Sequence, residues 1–232
     1  DYKTIDEALL QVREQFRGED VVMELYDGTH YVNGSVLDAM ISFSRLDIIS
    51  HNTSGRTVIS SNVSTRLLEV RAGAPPVMLQ GLEFDGQVRI ESSTEFSGCR
   101  FGSVSMRRGR RLKAGTEVRA LLVSDGHVSI SDTVFEGLLG GAIEVSGGSL
   151  AVHTSVFQNN KAKSGGALLV TGGKVKIGNS TFTDNQATGG RPGGAIHLNG
   201  TNASLELANK TMITGSKDYG GSVVSDVPWT YR

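Results

Sequence analysis

The chain has 232 residues, 23 basic and 24 acidic side chains, a formal net charge of −1 and an apolar fraction of 38%. A balance this even excludes a general nucleic-acid binder, and no apolar run reaches the ~18 residues that a membrane-spanning helix needs. Cys99 is the one cysteine, which excludes an intrachain disulfide; lying beside Phe96 and Phe101 with no His or acidic residue at a motif spacing, it reads as an inert core thiol.

Thr4-Ile5-Asp6-Glu7 fits a capping box, and Ile5, Ala8, Leu9, Val12 and Phe16 form one apolar face of a helix reaching about Arg17. The segment Val21-Val22-Met23-Glu24-Leu25-Tyr26 reads as a strand that runs into a turn, Asp27-Gly28-Thr29-His30-Tyr31. A short amphipathic helix followed by a strand ending in this turn resembles the entry segment of pectin-lyase-like β-helix proteins. The resemblance implies that the helix plugs the first coil. Residues 46–51 and 55–59 continue in that style, and from there to Val123 the pattern is less regular. Residues 77–84 and 88–90 still alternate as strands, and Phe96 to Phe101 reads as a corner.

Five basic residues, Arg107, Arg108, Arg110, Arg111 and Lys113, crowd into seven positions and interrupt the alternation as a projecting loop. Three readings are open: a solvated loop, a contact with anionic glycan or membrane headgroups through Arg forks, and a processing site of the R-x-R-R form. Without interleaved aromatics the cluster does not suggest nucleic acid.

From Gly126 onward one phrase recurs four times with a period of about 25: a turn residue, an alternating strand, a large apolar residue and a Gly-Gly step. The turn residues are Gly126, Gly148, Gly173 and Ala203, and Phe135, Phe157, Phe182 and Met212 each follow nine positions later. The distance onward to the Gly pair is five, eight, eleven and eight positions. The strand step is fixed and the loop elastic. Val128 and Ile130, Leu150 and Val152, Val175 and Ile177, and Leu205 and Leu207 point inward by their period of two. A repeat this short cannot bury its own core, so the copies stack.

These features predict an all-β fold, a right-handed single-stranded parallel β-helix with a short N-terminal capping α-helix. One domain covers residues 1–232: a cap over 1–19, irregular coils over 20–122 and regular repeats over 123–232. About eight coils at the sheet spacing of roughly 4.8 Å give a rod near ~40 Å long. The pairs Gly140-Gly141, Gly165-Gly166, Gly193-Gly194 and Gly220-Gly221 are expected at tight corners. No Lys-Ser/Thr follows them, which argues against a phosphate loop. Asn160 and Asn185, each three after a Phe, are expected to join an Asn ladder or to accept a left-handed corner.

Phe157-Gln158-Asn159-Asn160 and Phe182-Thr183-Asp184-Asn185, each followed by Gly-Gly-Ala and an aliphatic residue, resemble the FxxN and GGA(I/L/V) motifs of chlamydial polymorphic outer membrane proteins. The likeness covers roughly the second half of the chain; Phe135 and Met212 lack the following Asn. It implies a surface-exposed β-helix, as in the passenger segments of that family's adhesins.

Seven of the ten Asn residues open an N-x-Ser/Thr sequon: Asn33, Asn52, Asn62, Asn179, Asn199, Asn202 and Asn209. With Ser and Thr near a fifth of the chain, about two would arise by chance. Either the protein is an extracellular glycoprotein, or solenoid corners simply favour Asn, Ser and Thr together. Asn33, Asn52 and Asn62 fall in turn-like segments and are the favoured acceptors, and Asn202 follows Asn199 too closely for both to be filled easily.

Glycoside hydrolysis needs two carboxylates on one groove, and the NTD, DD, HG and RxK patterns of β-helix hydrolases are missing. Asp27, Asp47, Asp85, Asp125 and Asp132 fall on different coils. Glu144, Leu169 and His197 form an outward column that reads as a mixed solvent face, and the His spacings match no metal motif. The reading is therefore a non-catalytic extracellular or cell-surface scaffold, with no cofactor and no metal, whose partners are proteins or glycans at the surface or matrix. The alternatives are a carbohydrate-active enzyme of pectin-lyase-like fold and a subunit that stacks end to end. The last idea comes from the far end, where Val223, Val224, Val227 and Trp229 follow the final Gly pair without a recognisable cap, as expected also of a piece of a longer chain.

Overall fold

The computed structural model describes residues 4–32, 34–37, 43–51, 55–61, 66–102, 118–189, 193–208, 210–216, 223–225 and 230–231. It opens on a helix, Ile5–Gln15, whose N-cap Thr4 accepts the Glu7 N–H on Oγ1 at 3.1 Å. Ile5 and Ala8 are buried and Leu9 packs against the core. Phe16, expected on the same face, is exposed, because the helix ends at Gln15 and the next residue leaves its phase.

Each coil then gives one strand to each of three all-parallel sheets. Among the described residues sheet A has nine strands, running from Asp20–Leu25 through Arg45–Ser50, Val77–Gln80, Thr94–Ser97, His127–Ser131, Ser149–His153, Gly173–Gly178 and Ala203–Ala208 to Thr230–Tyr231. Sheet B has eight, among them Gly28–Tyr31, Thr57–Ser60, Leu82–Asp85, Arg100–Gly102, Val134–Glu136, Val156–Gln158, Thr181–Thr183 and Met212–Thr214. Sheet C also has eight, from Ser35–Leu37 and Arg66–Val70 through Gln87–Ile90, Leu121–Val123, Ile143–Val145, Leu168–Val170 and Ile196–Leu198 to Val223–Ser225. Strand order within each sheet follows chain order, so every strand pairs with its counterpart one coil away. This is a parallel β-helix, as the alternation predicts.

Two sequence expectations shift in register. Gly28–Tyr31 is a strand of sheet B, with Thr29 opposite Val58, and the turn falls before it. In the fourth repeat the inward residue is Ile213, opposite Phe182, while Met212 is 57% exposed. The corner there is one residue longer: the left-handed residue is Lys210, three after Leu207, whereas Asn179 comes two after Ile177.

The core is a set of columns. Phe84, Phe101, Phe135, Phe157 and Phe182 stack face to face at 4.8, 4.7, 4.8 and 4.5 Å between ring centres. Those spacings equal the distance between paired strands, so the rings and the backbone ladder demand the same rise. Burying each ring contributes roughly 1.5–3 kcal/mol, and each aromatic pair about 0.5–1.5 kcal/mol more. Ile59 continues the column beyond Phe84. An apolar void of about 20 Å³ opens beside that step, lined among others by Ile5, Val32, Ile48, Leu79 and Phe84.

Candidate functional site

Corners decide which side chains a β-helix offers to solvent. Between sheets A and B the chain turns through a left-handed residue, Gly98, Asp132, Thr154, Asn179 or Lys210. The next residue is Cys99, Thr133, Ser155, Ser180 or Thr211. In the central coils its hydroxyl donates to the carbonyl two residues back: Thr133 to Ser131 at 2.8 Å, Ser155 to His153 at 2.8 Å and Ser180 to Gly178 at 2.9 Å. The same oxygens accept from the preceding coil, Cys99 N–H to Thr133, Thr133 N–H to Ser155 and Ser155 N–H to Ser180, at 3.3, 3.2 and 3.1 Å. This ladder of hydroxyls satisfies backbone groups that a bend would otherwise leave unpaired. Its sequence signal, a Ser or Thr two before the Phe, was there to be read.

After sheet B, Asn160 and Asn185 are fully buried. Asn160 Nδ2 donates to Phe135 O and to Asn185 Oδ1, both at 3.0 Å, and Asn185 Nδ2 donates to Phe157 O at 3.0 Å. Asn160 Oδ1 in turn accepts the Leu138 N–H at 3.1 Å. The loops that follow pair briefly, Lys161–Ala162 with Gln186–Ala187. Their Gly pairs approach neighbouring backbone too closely for a side chain. A Cβ on Gly166 would lie 2.6 Å from Gln186 N, and one on Gly165, at φ 55°, would run into the Leu168 carbonyl. Gly140, Gly141 and Gly193 are hemmed in similarly by Val118, Arg119 and Ile196, and Gly194 is buried. Gly220 and Gly221 lie outside the described residues.

Glu144, Leu169 and His197 do stand opposite one another on the outer face of sheet C. They do not form a solvent face throughout. His197 is only 3% exposed and its Nδ1 is hydrogen-bonded to Ser164 Oγ, because the loop through Ser164 folds back over the strand. Arg119, 5% exposed, donates to Ile143 O at 3.4 Å and Gly165 O at 2.9 Å, and its Nε lies 3.5 Å from Glu144 Oε2. Glu144, Arg119, Ser164 and His197 thus form one polar network beneath the loop. A serine against an imidazole is the raw material of nucleophilic catalysis, yet both groups are covered here, and the network pins the loop to the sheet.

Several other carboxylates pair with arginines, while Asp27, Asp85 and Asp125 accept hydrogen bonds from Gly55 N–H, Ser60 Oγ and Gly126 N–H. Asp47 meets Arg45 at 2.6 Å, Glu69 meets Arg66 at 2.9 Å and Arg71 at 3.6 Å, Glu83 meets Arg56 at 3.5 Å, and Glu91 meets Arg89 at 2.8 Å. Glu136 pairs with Arg100 and accepts from Gln158 at 2.7 Å. Among the described residues no three His, Cys, Asp or Glu side chains converge as a metal site. At the N-terminal end Tyr26, 64% exposed, tilts on His51 at 4.7 Å, and His51 Nδ1 lies 3.2 Å from Glu24. Cys99 is buried, and burial pushes its thiol up to about 11.

Of the sequon asparagines, Asn179 and Asn202 are exposed and Asn199 is half-buried. Asn33, Asn52, Asn62 and Asn209 lie outside the described residues, as do Arg107, Arg108, Arg110, Arg111 and Lys113. The basic stretch separates Arg100–Gly102 of sheet B from Leu121–Val123 of sheet C, the interval in which later coils carry their elastic loops.

Residues 154–171 match the Chlamydia polymorphic membrane protein repeat. That span begins at the left-handed corner residue Thr154 and takes in Ser155 of the hydroxyl ladder, Phe157 of the ring stack, Asn160, and the Gly165-Gly166-Ala167 step. No curated protein and no solved structure matches the chain. Among the described residues no helix is long and apolar enough to cross a membrane.

Proposed function

We propose that this chain is a non-catalytic β-helix scaffold displayed at a cell surface or secreted, which holds binding loops on a rigid rod of pectin-lyase-like architecture. The observation that carries the reading is the repeat match over residues 154–171, a repeat named for membrane proteins, on a segment whose side chains are consumed in building the rod. The paired carboxylates point the same way. An acid and a base for glycoside chemistry must face one groove with separated pKa values, and here Glu69, Glu83, Glu91, Glu136 and Glu144 each face an arginine.

Adhesion is assigned to the loops between sheets B and C, where length varies without disturbing the strands, and above all to the basic stretch from Arg107 to Lys113. Its guanidinium groups suit sulfate or carboxylate on an extracellular glycan. Protease shaving of intact cells that make the protein should release its peptides; full protection would overturn surface display. Retention on a sulfated-glycan column should fall with salt and vanish when Arg107, Arg108, Arg110 and Arg111 are replaced by Ala. Cleavage of uronic-acid polysaccharides by the purified protein would overturn the non-catalytic reading.

A further inference from the structure

Asn159 apart, the fold sorts its described asparagines into two populations, and the sequon is what divides them. Asn160 and Asn185 open no sequon, are fully buried, and spend their side-chain amides on the corner. Asn179, Asn199 and Asn202 open sequons, are exposed or half-buried, and make no side-chain hydrogen bond among the described residues. Asn159 opens no sequon; it is exposed at a left-handed corner, φ 55°, that Gly137 and Asp184 occupy in neighbouring coils.

Backbone geometry does not account for the sequon group. Asn199 and Asn202 have no positive φ. Asn179 has φ 52°, but the same corner accepts Gly98, Asp132, Thr154 and Lys210, so asparagine is not required there. Within Asn179-Ser180-Thr181 the Ser180 hydroxyl belongs to the corner ladder, whereas Thr181 faces outward on sheet B beside the inward Phe182. Among the described residues nothing hydrogen-bonds the Asn179 amide, and Asn179 is exposed.

We propose that Asn179 and Asn202 carry N-linked glycans, with Asn202 rather than the half-buried Asn199 serving as acceptor in the second turn. The inference rests on the surface or secretory location proposed above. The donor is a lipid-diphosphate-linked oligosaccharide. The Asn Nδ2–C1 bond forms as the C1–O bond to the diphosphate breaks; one amide proton passes to a base of the transferase, and the lipid diphosphate leaves. Asn179 directly follows strand Gly173–Gly178 and Asn202 directly precedes strand Ala203–Ala208, neighbours in sheet A. The two glycans therefore stand at opposite ends of a six-residue strand pair, roughly 20 Å apart at the usual rise. They flank the outer face that holds Lys174, Lys176 and Glu206, and leave the outer face of sheet B as the uncovered side at this level.

The test uses protein purified from the cells that make it. Peptide N-glycosidase treatment in heavy-oxygen water converts each occupied Asn to labelled Asp, read peptide by peptide. Label at Asn179 and Asn202, with none at Asn199, is expected. Label at Asn199 in place of Asn202 would overturn exposure as the deciding property, and an unlabelled, unmodified chain would overturn the proposal. If that unmodified chain is still shaved from intact cells, surface display survives while glycosylation fails. In protein made without glycan, Asn179→Gln and Asn202→Gln should leave the thermal midpoint in place while Asn160→Gln lowers it. A drop for Asn179→Gln like that for Asn160→Gln would make Asn179 a corner residue and sink its assignment.

Discussion

The coils from Gly126 to Asn185 and those from Asp20 to Val70 use the same three sheets but differ in what stacks on what. In the later coils each column repeats a residue type: Phe135, Phe157 and Phe182 in sheet B, Thr133, Ser155 and Ser180 at one corner, Asn160 and Asn185 at the other. In the earlier coils the sheet B column passes from His30 to Ile59 before reaching Phe84, and the void lies beside that passage. Aliphatic columns tolerate such mixing, as in Val21, Leu46 and Val77 of sheet A. Flat rings and amides are more selective, because the rings stack on rings and the Asn160 and Asn185 amides hydrogen-bond one another across one strand spacing. The contrast locates specificity at the ring stack and the corners rather than in the strands.

Removing the middle of the stack is the hardest blow to this contrast. Phe157→Ala should destabilise by about 3–5 kcal/mol, read by chemical denaturation, since it strips Phe135 and Phe182 of a shared neighbour and leaves a cavity. An effect no larger than that of Ile48→Ala in the mixed coils would dissolve the distinction between the regions. Asn160→Ala comes next, at about 1–3 kcal/mol, because Leu138 N–H and Phe135 C=O would lose their buried partner. Asn160→Asp should rescue only the accepting half of that loss.

Cys99 tests where the earlier and later coils join. Its thiol titrates near 11 instead of its ordinary 9.0 because it is buried. Below pH 9 the proton is held in both states; between 9.0 and about 11 only the unfolded chain releases it, so stability should fall as pH rises through that window. A loss of about 1 kcal/mol by about pH 10 is expected, and Cys99→Ala should flatten that part of the profile. The smallest effect sharpens the comparison from the other side. Ile59→Phe would extend the stack by one ring into the void and should change stability by between zero and about +1 kcal/mol. A clear destabilisation would mean that the early coils are fitted to their mixed columns.

Much of this was legible in the chain because strand alternation and repeat period are local. Val128, Ile130, Leu150, Val152, Val175 and Ile177 all point inward as their spacing demands. The shift from Met212 to Ile213 was not legible, since both residues are large and apolar and one extra corner residue moves the inward position from nine to ten after Ala203. His197 was misplaced for a different reason. Its own strand does set it outward, and what buries it is the Ser164 loop, 33 residues earlier in the chain.

By itself the sequence determined the coil: its period, its inward residues, its Gly-Gly turns and its supply of sequons, all of which are fixed by neighbours within a few positions. Only the tertiary structure decided which polar side chains remain for function. Burial of Asn160, Asn185, Arg119 and His197, and exposure of Asn179 and Asn202, depend on the coil above, the coil below and the loop that folds across them. Those contacts arise from stacking, and no single repeat contains them.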